Sequence, residues 1–173
     1  MNLSFAYMIF EPILPLLYLL IAFQAKHWLC DFFLQNEFML GKFKSGWDFV
    51  LPLLCHCAVH MVGTFSIVYV ALAGSSVQLK LAMLASVFDL VVHFIMDRIK
   101  ASPRLMGRWK ALDAKSFEET QTCRRNSESY WQRYAAEREL KSNRKYWLAI
   151  GFDQAVHNLT HYAIIFVTFI LMP

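Results

Sequence analysis

Charged residues are scarce in this chain of 173 residues: Asp, Glu, Lys and Arg make up 17% of it, while hydrophobic residues make up 57%. A soluble domain typically carries about 25% charged residues. The length suits one domain of ordinary size. The shortage of charge therefore argues against a soluble globular protein and favours one that lies in a membrane.

Paired thiols are also missing. The four cysteines, Cys30, Cys55, Cys57 and Cys123, include no pair with the usual zinc spacing. Cys55 and Cys57 are two positions apart, which turns their side chains roughly 160° from each other on a helix. We predict no disulfide framework. The N-terminal residues lack a basic region and a small-residue cleavage site, so we expect a retained first span rather than a cleaved signal peptide.

Four long apolar segments dominate the sequence. Each meets the length of about 20 apolar residues that a helix needs to cross a membrane. They run roughly over 13–34, 49–73, 79–99 and 146–172. Their length and the absence of alternating polar residues argue against strands. The predicted fold class is all-α: a polytopic membrane protein, with a four-transmembrane-helix bundle forming a single membrane domain.

Most of the cations lie in one segment, residues 101–145, which contains eleven Lys and Arg against six Asp and Glu. We call this segment the basic insert and predict that it is partly helical. We also predict that it is cytoplasmic, because membrane proteins keep loops rich in Lys and Arg on the cytoplasmic side. Lys42 and Lys44, in the loop between spans one and two, then lie on the same side. Both termini would lie outside a bacterial inner membrane.

The basic insert is expected to be a solvated connector whose cations contact anionic lipid headgroups. A cytoplasmic protein partner is the alternative. No recognisable nucleic-acid-binding motif is present, which argues against a nucleic-acid partner.

All six histidines lie in the predicted spans, and each span carries polar residues four positions apart, on one helix face. The motifs are "HWLCDFFLQ" (His27, Asp31, Gln35), "HCAVH" (His56, His60), "DLVVHFIMDRIK" (Asp89, His93, Asp97, Lys100) and "DQAVHNLTH" (Asp153, Gln154, His157, His161). An Asp or Lys at a helix centre costs about 2.5–3.5 kcal/mol on insertion scales. Such residues therefore indicate a functional site by default.

The predicted topology puts all four motifs in the same half of the membrane, although the helices alternate in direction. Asp31, His56, His93 and Asp153 fall within about two turns of the cytoplasmic end of their spans. We therefore expect one polar chamber with a wall from each helix.

Imidazole and carboxylate groups projecting inward from several helices are the ligands with which bundles build one- or two-metal sites. We predict a divalent metal, with zinc favoured and iron or manganese as alternatives, as one or two ions. The predicted ligands are His27, Asp31, His56, His60, His93, Asp97, Asp153 and His157. The predicted catalytic bases, where they are not ligands, are Asp31, Asp97 and Asp153. Further candidates are Asp89, His161, Gln35, Gln154 and Lys100.

In these motifs the chain resembles the domain of unknown function 3307 family, small multi-span membrane proteins of bacteria and their phages. The family pattern is similar to His-x3-Asp-x3-Gln, His-x3-His, His-x3-Asp-x2-Lys and Asp-Gln-x2-His in the four spans. Asp89 and His161 lie outside that pattern. The resemblance implies no particular activity. A looser similarity to membrane-bound metal-dependent hydrolases is an analogy, which does not determine chemistry.

The leading hypothesis is a metal-dependent hydrolase that acts on a lipid-linked or amphiphilic ester, phosphoester or amide. One alternative is a metal-ion or proton transporter, which needs polar residues through the whole membrane, whereas "TFSIVYVALA" and "AIIFVTFILM" offer few. Another is a non-catalytic phage or bacterial membrane factor that docks a host partner through the basic insert. The simplest alternative is a hydrogen-bonded polar core without metal, in which each interhelical hydrogen bond contributes roughly 0.6 kcal/mol to stability.

Overall fold

The computed structural model describes residues 13–173, and in this part of the chain it contains helices and no strand. The α-helices are α1 (Ile13–Trp28), α2 (Val50–Ala71), α3 (Gln78–Ala101), α4 (Ala114–Asn126) and α5 (Tyr130–Ile170). The all-α prediction is therefore confirmed. The prediction that the N-terminal segment is retained depends partly on residues 1–12, which lie outside the described residues.

Three of the described helical segments are long and apolar enough to cross a membrane, namely Ile13–Phe33, Val50–Ala71 and Gln78–Arg108. The fourth predicted span falls in the second half of α5, which does not reach that apolar composition. Asp153, His157 and their polar neighbours on α5 interrupt its hydrophobic run. Three apolar helices thus support a membrane protein, and the fourth span stays a prediction.

The first span ends in a widened turn. α1 continues into a π-helix over Leu29–Phe33, closed by a hydrogen bond from the Leu34 N–H to the Leu29 carbonyl at 3.0 Å. Such turns are frequent at functional sites, and this one carries Asp31. Because the helix stops at Phe33, Gln35 lies in irregular chain and does not continue the face that carries Asp31.

The loop between α1 and α2 folds back against the bundle. It contains a 3₁₀-helix over Met39–Phe43, in which Met39 and Lys42 are both buried. Side chains three apart eclipse in a 3₁₀-helix, so these two point to the same side. The loop between α2 and α3 turns at Gly74, whose φ of 87° favours glycine.

The basic insert is helical over much of its length. After a 3₁₀-helix over Met106–Arg108, α4 begins where the Asp113 side chain accepts a hydrogen bond from the Ser116 N–H at 2.8 Å. That bond holds the pKa of Asp113 below its ordinary value. α5 has 41 residues, and at 1.5 Å per residue it extends for about 60 Å. The insert and the fourth predicted span therefore share one continuous helix.

An apolar core fills the end of the bundle nearest the Gly74 turn. Its buried members are Leu19, Phe23, Val68, Leu72, Ala82, Ala85, Ile164 and Ile165. They come from α1, α2, α3 and α5. This packing aligns the four helices and brings their polar segments together at the opposite end.

Candidate metal centre

The polar segments of α1, α2, α3 and α5 meet in one group inside the bundle. We call this group the polar chamber: His27, Asp31, His56, His60, Asp89, His93, Asp97, Asp153, His157 and His161. Its members are buried, except Asp31, which is partly buried. His93 is central, because its ring centroid lies 4.0 Å from those of both His60 and His157.

Ligand atoms within the polar chamber are close enough to hold a metal. In four groups of three residues, one nitrogen or carboxylate oxygen from each residue lies within 4.8 Å of the others. The groups are His27–His60–His93, Asp31–His56–His60, Asp89–His93–His161 and Asp97–Asp153–His157. The structure thus brings together the eight predicted ligands and also Asp89 and His161, which lie outside the family pattern.

The two candidate amides have different positions. The Gln154 Oε1 lies 3.3 Å from the His27 Nε2, and its Nε2 donates to the Asp153 Oδ2 at 3.1 Å. Gln154 therefore links α1 to α5 at the edge of the polar chamber. Gln35 follows the end of the first helix by two residues and lies in irregular chain.

Lys26 neutralises one carboxylate of the polar chamber. Its Nζ lies 2.8 Å from the Asp89 Oδ2 and donates to the Thr64 Oγ1 at 3.0 Å. Thr64 in turn donates to the same Asp89 oxygen at 2.6 Å. The stem of Lys26 crosses Gly63, where a Cβ atom would come within 2.7 Å of the Lys26 Cγ. A glycine on α2 therefore makes room for this buried lysine.

Two further lysines neutralise Asp97 and Asp153. The Lys42 Nζ lies 2.8 Å from the Asp97 Oδ2, and the Lys100 Nζ lies 2.9 Å from the Asp97 Oδ1. Lys100 also lies 2.8 Å from the Asp153 Oδ2. Lys42 thus reaches the polar chamber from the 3₁₀-helix of a loop, while Lys100 reaches it from the last turn of α3.

Asp31 is different, because among the described residues no lysine lies within salt-bridge distance of it. Its oxygens instead face three imidazoles: the Nε2 of His27 at 3.2 Å, of His60 at 3.2 Å and of His56 at 3.3 Å. The polar chamber therefore has four carboxylates, and among the described residues three lysine ammonium groups contact them. One negative charge is left without a partner when the histidines are neutral.

The position of the His93 proton follows from its hydrogen bond. The His93 Nδ1 lies 3.1 Å from the backbone carbonyl of Asp89, four residues earlier on α3. The Asp89 Oδ1 lies at the same distance from this nitrogen. Because both oxygens accept, Nδ1 carries the hydrogen, and in the neutral imidazole Nε2 has a free lone pair. Among the described residues, this buried Nε2 has no hydrogen-bond partner. An imidazole held by a carbonyl, with its other nitrogen free, is arranged as metal-ligating histidines are.

The spacing around Asp31 fits a metal as well as it fits hydrogen bonds. In a tetrahedral site with metal–ligand bonds near 2.0 Å, neighbouring ligand atoms lie about 3.3 Å apart. The Nε2 atoms of His56 and His60 lie 3.3 and 3.2 Å from the Asp31 Oδ1, whereas the His27 Nε2 lies 3.2 Å from the other oxygen, Oδ2. This donor set of imidazoles and one carboxylate suits zinc, and also iron or manganese.

Sequence reasoning missed two residues of this network. Thr64 continues the His56–His60 spacing by four more positions, so the same helical pattern could have found it. Lys42 had no such signal, because it lies in a loop and was used only to orient the chain.

Comparison with known proteins gives one match. The family model described as "Protein of unknown function (DUF3307)" matches residues 16–172. No curated protein and no solved structure matches the chain. The looser similarity to membrane-bound hydrolases has no support from these comparisons.

Proposed function

This chain belongs to the DUF3307 family, as its motifs predicted, and we propose its function from the geometry of the polar chamber. The protein binds one divalent metal ion, with zinc favoured over iron and manganese, between Asp31, His56 and His60, and His27 faces the other oxygen of Asp31. It is a membrane hydrolase that acts on a lipid-like or amphiphilic substrate.

The observation that carries the proposal is that Asp31 lacks a lysine among the described residues. A carboxylate within a membrane protein needs a compensating cation, and Asp31, whose side chain is 21% exposed, has only partial contact with water in place of one. Asp89, Asp97 and Asp153 each have an ammonium group at 2.8–2.9 Å. A divalent ion at these three carboxylates would meet a lysine, whereas at Asp31 it would meet only imidazoles. This difference favours one ion over two.

His60 and His93 support the same location. His60 belongs both to the group around Asp31 and to the group with His27 and His93. An ion near His60 would therefore have the free Nε2 of His93 nearby as a further ligand. Asp89 holds His93 in orientation, as a neighbour of a metal ligand would.

Hydrolysis is the most economical chemistry for such a site. Asp31, His56 and His60 would hold the ion, which would supply polarisation of an ester, amide or phosphoester oxygen and activation of water. Asp97, whose Oδ2 lies 3.1 Å from the His56 Nε2, and Asp153 are the candidate proton acceptors. Lys100 lies at 2.8–2.9 Å from both carboxylates and would orient an anionic substrate group.

The polar chamber opens at one end. The side chains of Asp31 and Lys100 are 21% and 17% exposed, whereas those of Asp89, Asp97 and Asp153 are at most 2% exposed. Both partly exposed groups lie next to the loops that the positive-inside rule makes cytoplasmic. With α5 as the fourth span, the site would face the headgroup region of the inner leaflet of a bacterial inner membrane, and both termini would lie outside.

A metal-ion or proton transporter has less support. Beyond His161 the bundle is filled by the apolar core around Phe23, Leu72 and Ile164. A path for ions through one copy of the chain would have to open this core. The partly exposed charged groups of the polar chamber, by contrast, lie at one end of it, at Asp31 and Lys100.

Metal analysis of the full chain, purified in detergent, tests the binding site. We expect about one metal ion per chain, lost in His60→Ala and in Asp31→Asn. His161→Ala and Asp153→Asn are matched controls within the polar chamber and should keep the metal. No stoichiometric metal, two ions per chain or equal losses in all four variants would contradict the proposed site.

The hydrolase is tested separately, by mass spectrometry of bacterial lipids incubated with the protein in bilayers. We expect a cleaved lipid product with the wild type and none with Asp31→Asn. A protein that binds metal stoichiometrically but moves ions across liposomes, without lipid turnover, would be a transporter instead.

A further inference from the structure

The basic insert has a pocket of its own, apart from the polar chamber. The cavity has a volume of about 460 Å³ and lies between the Met106–Arg108 turn and the first half of α5. Lys145, on its wall, precedes Asp153 by eight residues on α5. This separation corresponds to about 12 Å along the helix axis. The pocket therefore lies on the side of the insert, not inside the proposed metal site.

Cations dominate the wall of this pocket. Four of its lining residues are basic, Arg108, Arg138, Lys141 and Lys145, and one is acidic, Glu137. Glu137 lies 2.8 Å from Lys141 and offsets that single charge. Three positive charges remain around one small cavity.

The sequence of α5 concentrates these charges. Arg138, Lys141 and Lys145 are three and four positions apart, which puts them on one helix face. Like charges at this spacing repel one another. Arg108 adds a fourth cation from the turn opposite α5. The repulsion among these cations is relieved when an anion binds between them.

An aromatic ring holds two of the cations in place. The Arg108 guanidinium lies 5.2 Å from the centre of the Trp109 ring, and the Lys145 ammonium lies 5.7 Å from it. Cation–π contacts of this kind orient the charged groups. A guanidinium can donate two parallel hydrogen bonds to phosphate oxygens, and a lysine adds a point charge. The set thus matches a phosphate, which carries more charge than a carboxylate.

We propose that the pocket bounded by Arg108, Trp109, Arg138 and Lys145 binds a phosphate group. The phosphate of a lipid headgroup and that of a soluble molecule share this chemistry. The proposal does not rest on the metal site or on hydrolysis. It depends on the exposed basic insert alone.

The test uses the full chain in detergent and two probes, inorganic phosphate and a short-chain phosphatidic acid, measured by calorimetry. The pocket variant is Arg138→Gln with Lys145→Gln. The matched control is Lys115→Gln with Arg125→Gln, which removes the same charge from the insert outside the pocket. We expect roughly tenfold weaker binding in the pocket variant, because each lost contact is charge-assisted, and no change in the control.

The two probes separate the sources. Binding of phosphatidic acid alone identifies a lipid headgroup, and equal binding of inorganic phosphate identifies a soluble phosphate; both support the site. The uncharged diacylglycerol of the same chain length should not bind. No saturable binding of either phosphate probe, or the same loss in the pocket and control variants, overturns the proposal. Circular dichroism checks that both variants keep their helices.

Discussion

Two ion pairs of this protein have the same N–O distance, 2.8 Å, in very different surroundings. Lys26 and Asp89 lie in the polar chamber with side chains 5% and 0% exposed, whereas Lys141 and Glu137 lie in the basic insert with side chains 69% and 52% exposed. Water and salt screen an exposed pair, so it contributes little to stability. In a buried pair, each charge depends on the other for compensation, because water does not reach it. Burial rather than distance therefore decides how much each of the two pairs contributes to stability.

The largest effect is expected from breaking the buried pair on one side only. Asp89→Ala leaves the Lys26 ammonium buried beside Thr64 and His161. We expect a loss of about 3–5 kcal/mol in the free energy of unfolding, as for other broken buried pairs. Denaturation in mixed detergent micelles measures it. A loss no larger than that of an exposed pair would show that the Lys26–Asp89 contact does not hold the helices.

Removing both charges should cost less than removing one. In the double variant Lys26→Met with Asp89→Leu, no charge is left buried without a partner, so its stability should lie closer to that of the wild type. The two single variants and the double variant form a cycle whose coupling energy we expect at about 1–3 kcal/mol. Additive losses would mean that the two residues act independently.

Two glycines test how tightly the buried pair is packed. A Cβ atom at Gly63 would clash with the Lys26 stem at 2.7 Å, whereas one at Gly151 would meet nothing within 4 Å. We expect Gly63→Ala to lower the free energy of unfolding by about 1–2 kcal/mol. Gly151→Ala, its matched control on α5, should raise it by about 0.5–1 kcal/mol. The same sign for both variants would contradict the packing of Lys26 against α2.

The smallest effect on stability is expected from the exposed pair. Lys141 donates to Glu137 and holds the pKa of that carboxylate below its ordinary value, so Glu137 is charged at neutral pH. Glu137→Gln should leave the melting temperature unchanged, because the pair is exposed. Removing the one acid of the phosphate pocket should instead tighten phosphate binding, by about two- to fivefold. Unchanged binding would show that Glu137 does not oppose the ligand.

Parts of the fold and of the candidate site were predictable because they are local. The apolar length of α2 and α3 and the four-residue spacing of His56 and His60 are properties of a single helix. The cost of polar groups in lipid then made a shared chamber the natural expectation. The π-helical turn that ends the first helix was not predictable in this way, and it separates Gln35 from Asp31.

The sequence by itself determined which side chains share a helix face, since helical geometry relates residues that are neighbours in the chain. Only the tertiary structure decided which carboxylate meets which lysine. Lys42 reaches Asp97 across 55 positions from a folded-back loop. Among the described residues, Asp31 meets imidazoles and no lysine. Those pairings depend on how the helices pack against one another, and the proposed metal site at Asp31 rests on them.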